Sequence, residues 1–298
     1  MSLLDRAVVA TLPLVPKPVV RAVAGRYLAG ETIPEMAKTV AALNAQGCSA
    51  TVSVLGEHVT TREEAASAVR DFINVIEAVE ANGLNANVSV KPTQIGLKID
   101  HALCEANLEA IITAAEPRGR FVRIDMEDSS CTDDTIALCR EARRRHAKVG
   151  TVLQAYLRRS VADAETLAAE GARTRICKGI YTEPHAIAFH DREEIRDNFM
   201  RLVEIFLRRG CYTAIATHDE PLVERSLALV ASLGLAKDAY EFQMLLGVAE
   251  ALRARLVAAG HRVRVYVPFG PLWYPYSVRR LRENPRIARY VIEGMLRR

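Results

Sequence analysis

The feature that most constrains this chain is one alternation repeated eight times. Short runs rich in β-branched or aromatic residues occur at 48–56 (CSATVSVLG), 86–92 (ANVSVKP), 120–128 (RFVRIDMED), 149–157 (VGTVLQAYL), 174–181 (TRICKGIY), 212–218 (YTAIATH), 239–245 (AYEFQML) and 262–270 (RVRVYVPFG). Helical signals lie between them. TTREEAASAVRDFINVIEAVEANG opens on a threonine cap and an acidic first turn, and stops at Asn82–Gly83; such residues satisfy the free N–H groups and the dipole of a helix start. DREEIRDNFMRLVEIFLRRG follows the same rule and ends in arginines before Gly210, and ALRARLVAAG closes at Gly260. Eight strand–helix units over about 250 residues predict an α/β fold, a (β/α)8 barrel. A doubly wound open sheet is the alternative; the unit count and the length favour the barrel. Residues 1–47 are expected to be a helical segment before the first strand, and 48–298 the barrel.

The strands carry a second message. Barrel interiors are usually layered with Val, Ile and Leu, yet polar residues recur here at alternate positions. They are Ser89 and Lys91; Arg123, Asp125 and Glu127; Gln154; Arg175; Thr217; Glu241 and Gln243; Arg264 and Tyr266. Period two puts each set on one face of its strand. If that face turns inward, charged groups converge at the barrel mouth, where barrel enzymes do chemistry. If it turns outward, they end in solvent at the rim.

Several classes are disfavoured. The net charge of +4 is mild for 298 residues and aromatics are only 6%, so no basic, aromatic surface for nucleic acid is indicated. No apolar run reaches the roughly 18 residues of a membrane span. The N-terminus carries Asp5, Arg6 and three prolines within its apolar stretch and reads as a short helix and turn, not a signal peptide. Six cysteines without a Cys-x-x-Cys pair read as reduced thiols of a cytoplasmic protein. No Gly-x-Gly-x-x-Gly or Walker loop occurs, the histidines lack metal-ligand spacing, and no Gly-x-Ser-x-Gly elbow is present.

Other residues have more than one reading. Lys91 and Lys178 stand at strand ends, where a lysine acts as a Schiff-base nucleophile, an anion holder or a rim ion-pair partner. Gly179 suits either close approach to a ligand or a tight turn. Thr217 and His218 precede a helix start at Asp219–Pro221, where a phosphate contact or a structural capping role is equally natural. Tyr276, Arg279 and Arg280, in WYPYSVRRL, share one helical face at i, i+3 and i+4. Two arginines beside aromatics make either a solvated basic face or a socket for a carboxylate.

VSVKPTQIG, IDMED, VGTVLQAYLRRS, ICKGIYTEP, ATHDE, YEFQMLLG, RVRVYVPFG and WYPYSVRRLRENP occur in that order, each at a strand end or just beyond. Together they resemble the proline dehydrogenase (proline oxidase) family in its short monofunctional bacterial form, over about residues 30–298. The resemblance implies a distorted (β/α)8 barrel that holds FAD without a Rossmann domain, with a final helix over the mouth. It implies that Arg279, Arg280 and Lys91 bind the substrate carboxylate, with Tyr276, Tyr266 and Tyr181 lining the substrate. It makes Asp125 the active-site aspartate and Arg175 the arginine beside flavin N5. Met126, Gln154, Lys178, Gly179, Ile180, Thr217, His218 and Glu283 fall on flavin-contacting positions. Pro92, Cys177 and Ile180 depart from the family's usual residues.

The implied reaction oxidises L-proline to 1-pyrroline-5-carboxylate and passes electrons to a membrane quinone. A peripheral visit to the inner face of the membrane and a separate pyrroline-5-carboxylate dehydrogenase chain follow from the same resemblance. The alternatives are a Schiff-base lyase or aldolase on a barrel lysine, and a barrel that binds an amino acid without turnover.

Overall fold

The computed structural model describes Arg21, residues 25–274 and Ser277. A 3-10 turn at Gly25–Tyr27 leads to α1 (Ile33–Ala45), followed by β1 (Ser49–Val54), α2 (Arg62–Ala81), β2 (Ala86–Val90), α3 (His101–Ala115) and β3 (Val122–Ile124). Next come α4 (Thr132–Arg145), β4 (Val149–Gln154), α5 (Ser160–Ala169), β5 (Arg173–Cys177), α6 (Arg192–Arg208) and β6 (Thr213–Ala216). The described elements finish with α7 (Glu220–Ser232), β7 (Tyr240–Leu245), α8 (Glu250–Ala258) and β8 (Val263–Phe269). The strands form a closed barrel in sequence order. Every pair is parallel, and β1 closes on β8 from Ser49–Arg264 to Val54–Phe269. The eight expected strands are all present. The segments expected at residues 1–20 and in the closing helix, with Tyr276, Arg279, Arg280 and Glu283, lie outside the described residues.

Local signals explain the helix starts. Thr32 with Glu35 and Thr61 with Glu64 form capping boxes, in which each side chain answers the other residue's backbone N–H. Asp100 accepts from the N–H groups of Ala102 and Leu103, and Asp191 from those of Glu193 and Glu194.

The register settles which way the alternating strand residues face. Thr51 lies beside Tyr266, Ser89 beside Arg123, Val152 beside Arg175 and Gln243 beside Arg264. Neighbours in a parallel sheet share a face, so this polar set lines the barrel interior. The other face carries Val52, Val88, Ile124, Leu153, Ile176, Ile215, Phe242 and Val265, all in the core with the helices. The hydrophobic core is therefore the shell between sheet and helices. The usual aliphatic interior is replaced by hydrogen-bonded polar groups: Ser89, Arg123, Asp125, Arg175, Glu241 and Gln243 are all buried.

One interior position needs glycine for space. A Cβ on Gly150 would overlap the Arg173 carbonyl oxygen and stand 3.0 Å from Arg123 Nη1. Without it, Arg123 Nη1 donates to the carbonyls of Thr151 and Arg173, each at 2.7 Å. Burial, then the nearby Arg175 charge, push the Arg123 pKa down to about 9, which still leaves it cationic at neutral pH.

Candidate active site

A cavity of about 510 Å³ opens at the C-terminal ends of the strands. Every predicted site residue among those described lies on its wall. Lys91 follows β2; Asp125 and Met126 follow β3; Gln154 ends β4. Arg175 lies on β5, with Lys178, Gly179, Ile180 and Tyr181 in the loop after it. Thr217 and His218 follow β6, and Tyr266 lies on β8.

Asp125 is the hub. Its Oδ1 accepts from Ser89 Oγ at 2.6 Å and from Arg175 Nη1 at 2.5 Å, and its Oδ2 from Tyr266 OH at 3.1 Å. Three strands are thereby tied to one carboxylate. Arg175 Nε donates to Gln243 Oε1 at 2.6 Å. Its Nη2 is buried and has no hydrogen-bond partner among the described residues, and the same is true of Gln154 Oε1. Both residues line the cavity, and a buried donor or acceptor carries a desolvation cost unless a ligand meets it.

The two strand-end lysines both carry carboxylate partners. Lys91 Nζ donates to Gly56 O at 3.1 Å and to Glu57 Oε2 at 3.3 Å. Lys178 Nζ donates to Asp219 Oδ2 at 3.1 Å. Such pairing suits a point charge better than an amine nucleophile.

Asp219 gathers further cations. Arg196 contacts it through Nη2 at 2.7 Å and Nε at 3.1 Å, and Arg192 approaches to 3.8 Å. Burial pushes the Asp219 carboxyl up, but Arg196 and Lys178 outweigh it and hold it below the usual range. Although Asp219 precedes α7, its side chain makes no capping bond. This corner was not legible in the sequence, because Asp-Glu-Pro reads as a helix cap. The only signal was Arg192 and Arg196 at i and i+4 on α6, which shares one face.

His218 Nε2 accepts the Leu245 N–H at 2.8 Å, so the ring has a structural bond as well as a cavity face. Thr217 Oγ1 likewise accepts the Asp219 N–H at 3.1 Å. Gly179 has φ +104, and a Cβ there would run into the Tyr156 ring. Its need for glycine comes from that ring and that backbone angle. Ile180 is 52% exposed at the rim. Cys177 borders the cavity, and burial pushes its thiol up to about 11.

The sequence shows no metal-ligand spacing, yet the fold brings Glu57, His58 and Glu127 ligand atoms within 4.8 Å of one another. Both Glu127 oxygens accept from Thr93, at 2.9 and 2.6 Å, and Glu57 takes Lys91. Two of the three groups are thus already engaged.

Known proteins can be set beside this geometry. The family described as proline dehydrogenase matches residues 36–291. "Proline dehydrogenase" of Deinococcus radiodurans is 39% identical over 281 residues, 92% of this chain and 90% of the relative. "Proline dehydrogenase 1" of Bacillus subtilis strain 168 is 37% identical over 275 residues, 92% of this chain and 91% of the relative. Among solved structures, proline utilization A from Bdellovibrio bacteriovorus, inactivated by N-propargylglycine, superposes with a TM-score of 0.83 at 23% identity, over 89% of this chain. Proline utilization A from Corynebacterium freiburgense gives 0.77 at 22% over 99% of this chain. This chain spans about a third of those two longer chains, 33% and 35%, and at such identity they speak for the fold. The family match and the curated relatives, each covered almost end to end, make this chain a member of the proline dehydrogenase family of enzymes.

Proposed function

We propose that the protein oxidises L-proline to 1-pyrroline-5-carboxylate with FAD as cofactor and a quinone as electron acceptor. The observation that carries the cofactor reading is the buried pair of unpartnered atoms, Arg175 Nη2 and Gln154 Oε1. A flavin ring offers both acceptors and donors along its edge, so it could satisfy both. The corner of Lys178, Arg192 and Arg196 around Asp219 suits the cofactor's diphosphate. Met126, Gly179, Ile180, Thr217 and His218 would complete the cofactor's surroundings, with Glu283 from the chain's end.

A bound flavin supplies the two-electron acceptor; the chain's own residues do the rest. Lys91, with Arg279 and Arg280, would fix the substrate carboxylate, and so orient the ring. For this Lys91 must exchange Glu57 for the substrate. Tyr266, Tyr181 and Tyr276 would bound the ring. Asp125 holds Arg175 in place, and the remaining N–H groups of Arg175 would serve the bound acceptor, where fixed positive charge would assist the arrival of electrons. The pyrroline product would pass to a separate dehydrogenase chain.

No helix among the described residues is long and apolar enough to cross a membrane. In the reading proposed here, a membrane quinone is met at the membrane surface.

The test is an absorption spectrum of the purified protein before and after anaerobic addition of L-proline. A flavin spectrum that proline bleaches is expected. A colourless protein that becomes covalently labelled on a lysine by borohydride and substrate would overturn the proposal in favour of Schiff-base chemistry. A flavin that proline never bleaches would leave only a binding barrel.

A further inference from the structure

Beneath Asp125 and Arg175 lies a second buried carboxylate that the proposed chemistry does not use. Glu241, on β7, is 3% exposed. Arg264 Nε donates to its two oxygens at 2.8 and 3.0 Å, and Tyr212 OH to its Oε2 at 2.9 Å. Its Oε1 also accepts from Gln243 Nε2 at 2.5 Å. Burial alone would push the Glu241 carboxyl up; Arg264, Gln243 and Tyr212 outweigh it and hold it ionised.

A carboxylate can only accept hydrogen bonds, whereas a glutamine amide can turn either end to a neighbour. With Glu241 ionised, the NH2 of Gln243 must face it. Gln243 Oε1 is then forced toward Arg175, whose Nε–H it accepts at 2.6 Å. Asp125 takes Nη1. With Nε and Nη1 both engaged, the orientation of the planar guanidinium is fixed. Nη2 is the corner left without a partner among the described residues, and Arg175 is one of the residues that line the cavity.

We propose that Glu241 is a positioning residue for Arg175: it sets the Gln243 amide, and through it aims the Arg175 guanidinium at the electron acceptor. The inference rests on the flavin reading given above. It predicts a sign that a purely electrostatic role would reverse. If Glu241 acted only as a negative charge inside the barrel, Glu241→Gln would make the interior more positive and raise the flavin's midpoint potential. If it acts by positioning, the same change frees Gln243 to present its NH2 to Arg175. The guanidinium then turns away and the potential falls.

The experiment is spectroelectrochemical titration of the FAD-loaded enzyme, with FAD affinity followed separately by fluorescence. For Glu241→Gln we expect about a tenfold loss in preference for the reduced over the oxidised flavin, a shift of about 30 mV to more negative potential. The fall should appear mainly in kcat, because the carboxylate-binding cations are untouched. Gln243→Met provides a second route: it cuts the link without removing a charge, and it leaves Glu241 on Arg264 and Tyr212. It should shift the potential in the same direction, and it decides the matter if Glu241→Gln does not fold. An unchanged or raised potential in the folded variants overturns the positioning role. A wild-type protein that binds no FAD, or whose FAD proline does not reduce, overturns the functional reading itself and this inference with it.

Discussion

Replacing Asp125 separates charge from shape at the centre of the site. The carboxylate accepts from Ser89, Arg175 and Tyr266 at 2.6, 2.5 and 3.1 Å. Both partners of the ion pair are buried, with side chains 10% and 9% exposed. Asn is nearly isosteric. Its Oδ1 can still take Ser89 and Arg175, and its NH2 can meet the Tyr266 oxygen once that hydroxyl rotates. Only the charge is lost. Hydrogen bonds to charged groups contribute about 1.5–3 kcal/mol and neutral ones about 0.5–1.5. Two weakened bonds should therefore destabilise Asp125→Asn by about 2 kcal/mol. Asp125→Ala removes the hydrogen bonds as well as the counter-charge of the Arg175 cation. Breaking a buried pair on one side costs about 3–5 kcal/mol. The assay is equilibrium urea unfolding of both variants at fixed FAD. Equal losses in the two, or losses below about 0.5 kcal/mol, would refute the account of Asp125 as the hub of the interior. Proline oxidation should fall more in Asp125→Ala, where Arg175 loses its anchor, than in Asp125→Asn, where it keeps the hydrogen bond and loses only the counter-charge.

Four other outcomes can be checked, three from the geometry and the last, at Arg279, from the resemblance. Gly179→Ala should cost about 2–5 kcal/mol in unfolding experiments, from the left-handed backbone and the collision with Tyr156. His146 bridges Glu116 and Glu109 at 3.0 and 2.9 Å; burial lowers its pKa, but the two carboxylates outweigh it and the net shift is upward. A raised histidine stabilises fully below its unfolded pKa of about 6.5. His146→Gln should therefore differ from wild type most in acid, and the gap in urea midpoint should close as pH rises through the folded value. Cys177, with its thiol near 11, has roughly one thiolate in a thousand at pH 8, so iodoacetamide should label it far more slowly in the native than in the urea-unfolded protein. Arg279→Met should raise KM for proline strongly, by about 2–5 kcal/mol in binding; unchanged proline affinity would defeat its assignment to the carboxylate.

The barrel was readable because its strands and helices obey two different periods. The interior was readable because Arg123, Asp125, Arg175, Glu241 and Gln243 sit at alternate positions in otherwise apolar strands. A one-strand view leaves the facing of such residues open; the register across eight strands decides it. Two groups escaped notice for local reasons. Glu57 stands in the loop after β1, beyond the alternation that drew attention to the other strands, and it finds Lys91 only through tertiary folding. Asp219 looks like a helix cap, and nothing in one dimension shows that Arg196 and Lys178 reach it. The motif at 276–283 lies outside the described residues, so its place rests on the resemblance and the family.

A closed ring of staves offers no loose end from which to unravel, so it must first part at a seam. The seam between β3 and β4 is the narrowest, paired only at Val122–Val149 and Arg123–Gly150. There the clasp is a side chain, Arg123, reaching past the bare glycine to grip two carbonyls on the far side. The residue that follows this short stave is Asp125. Any breathing of the ring at that clasp would reach the Asp125 carboxylate at once, so the seam with the fewest paired residues and the hub of the candidate site are next to each other in the chain.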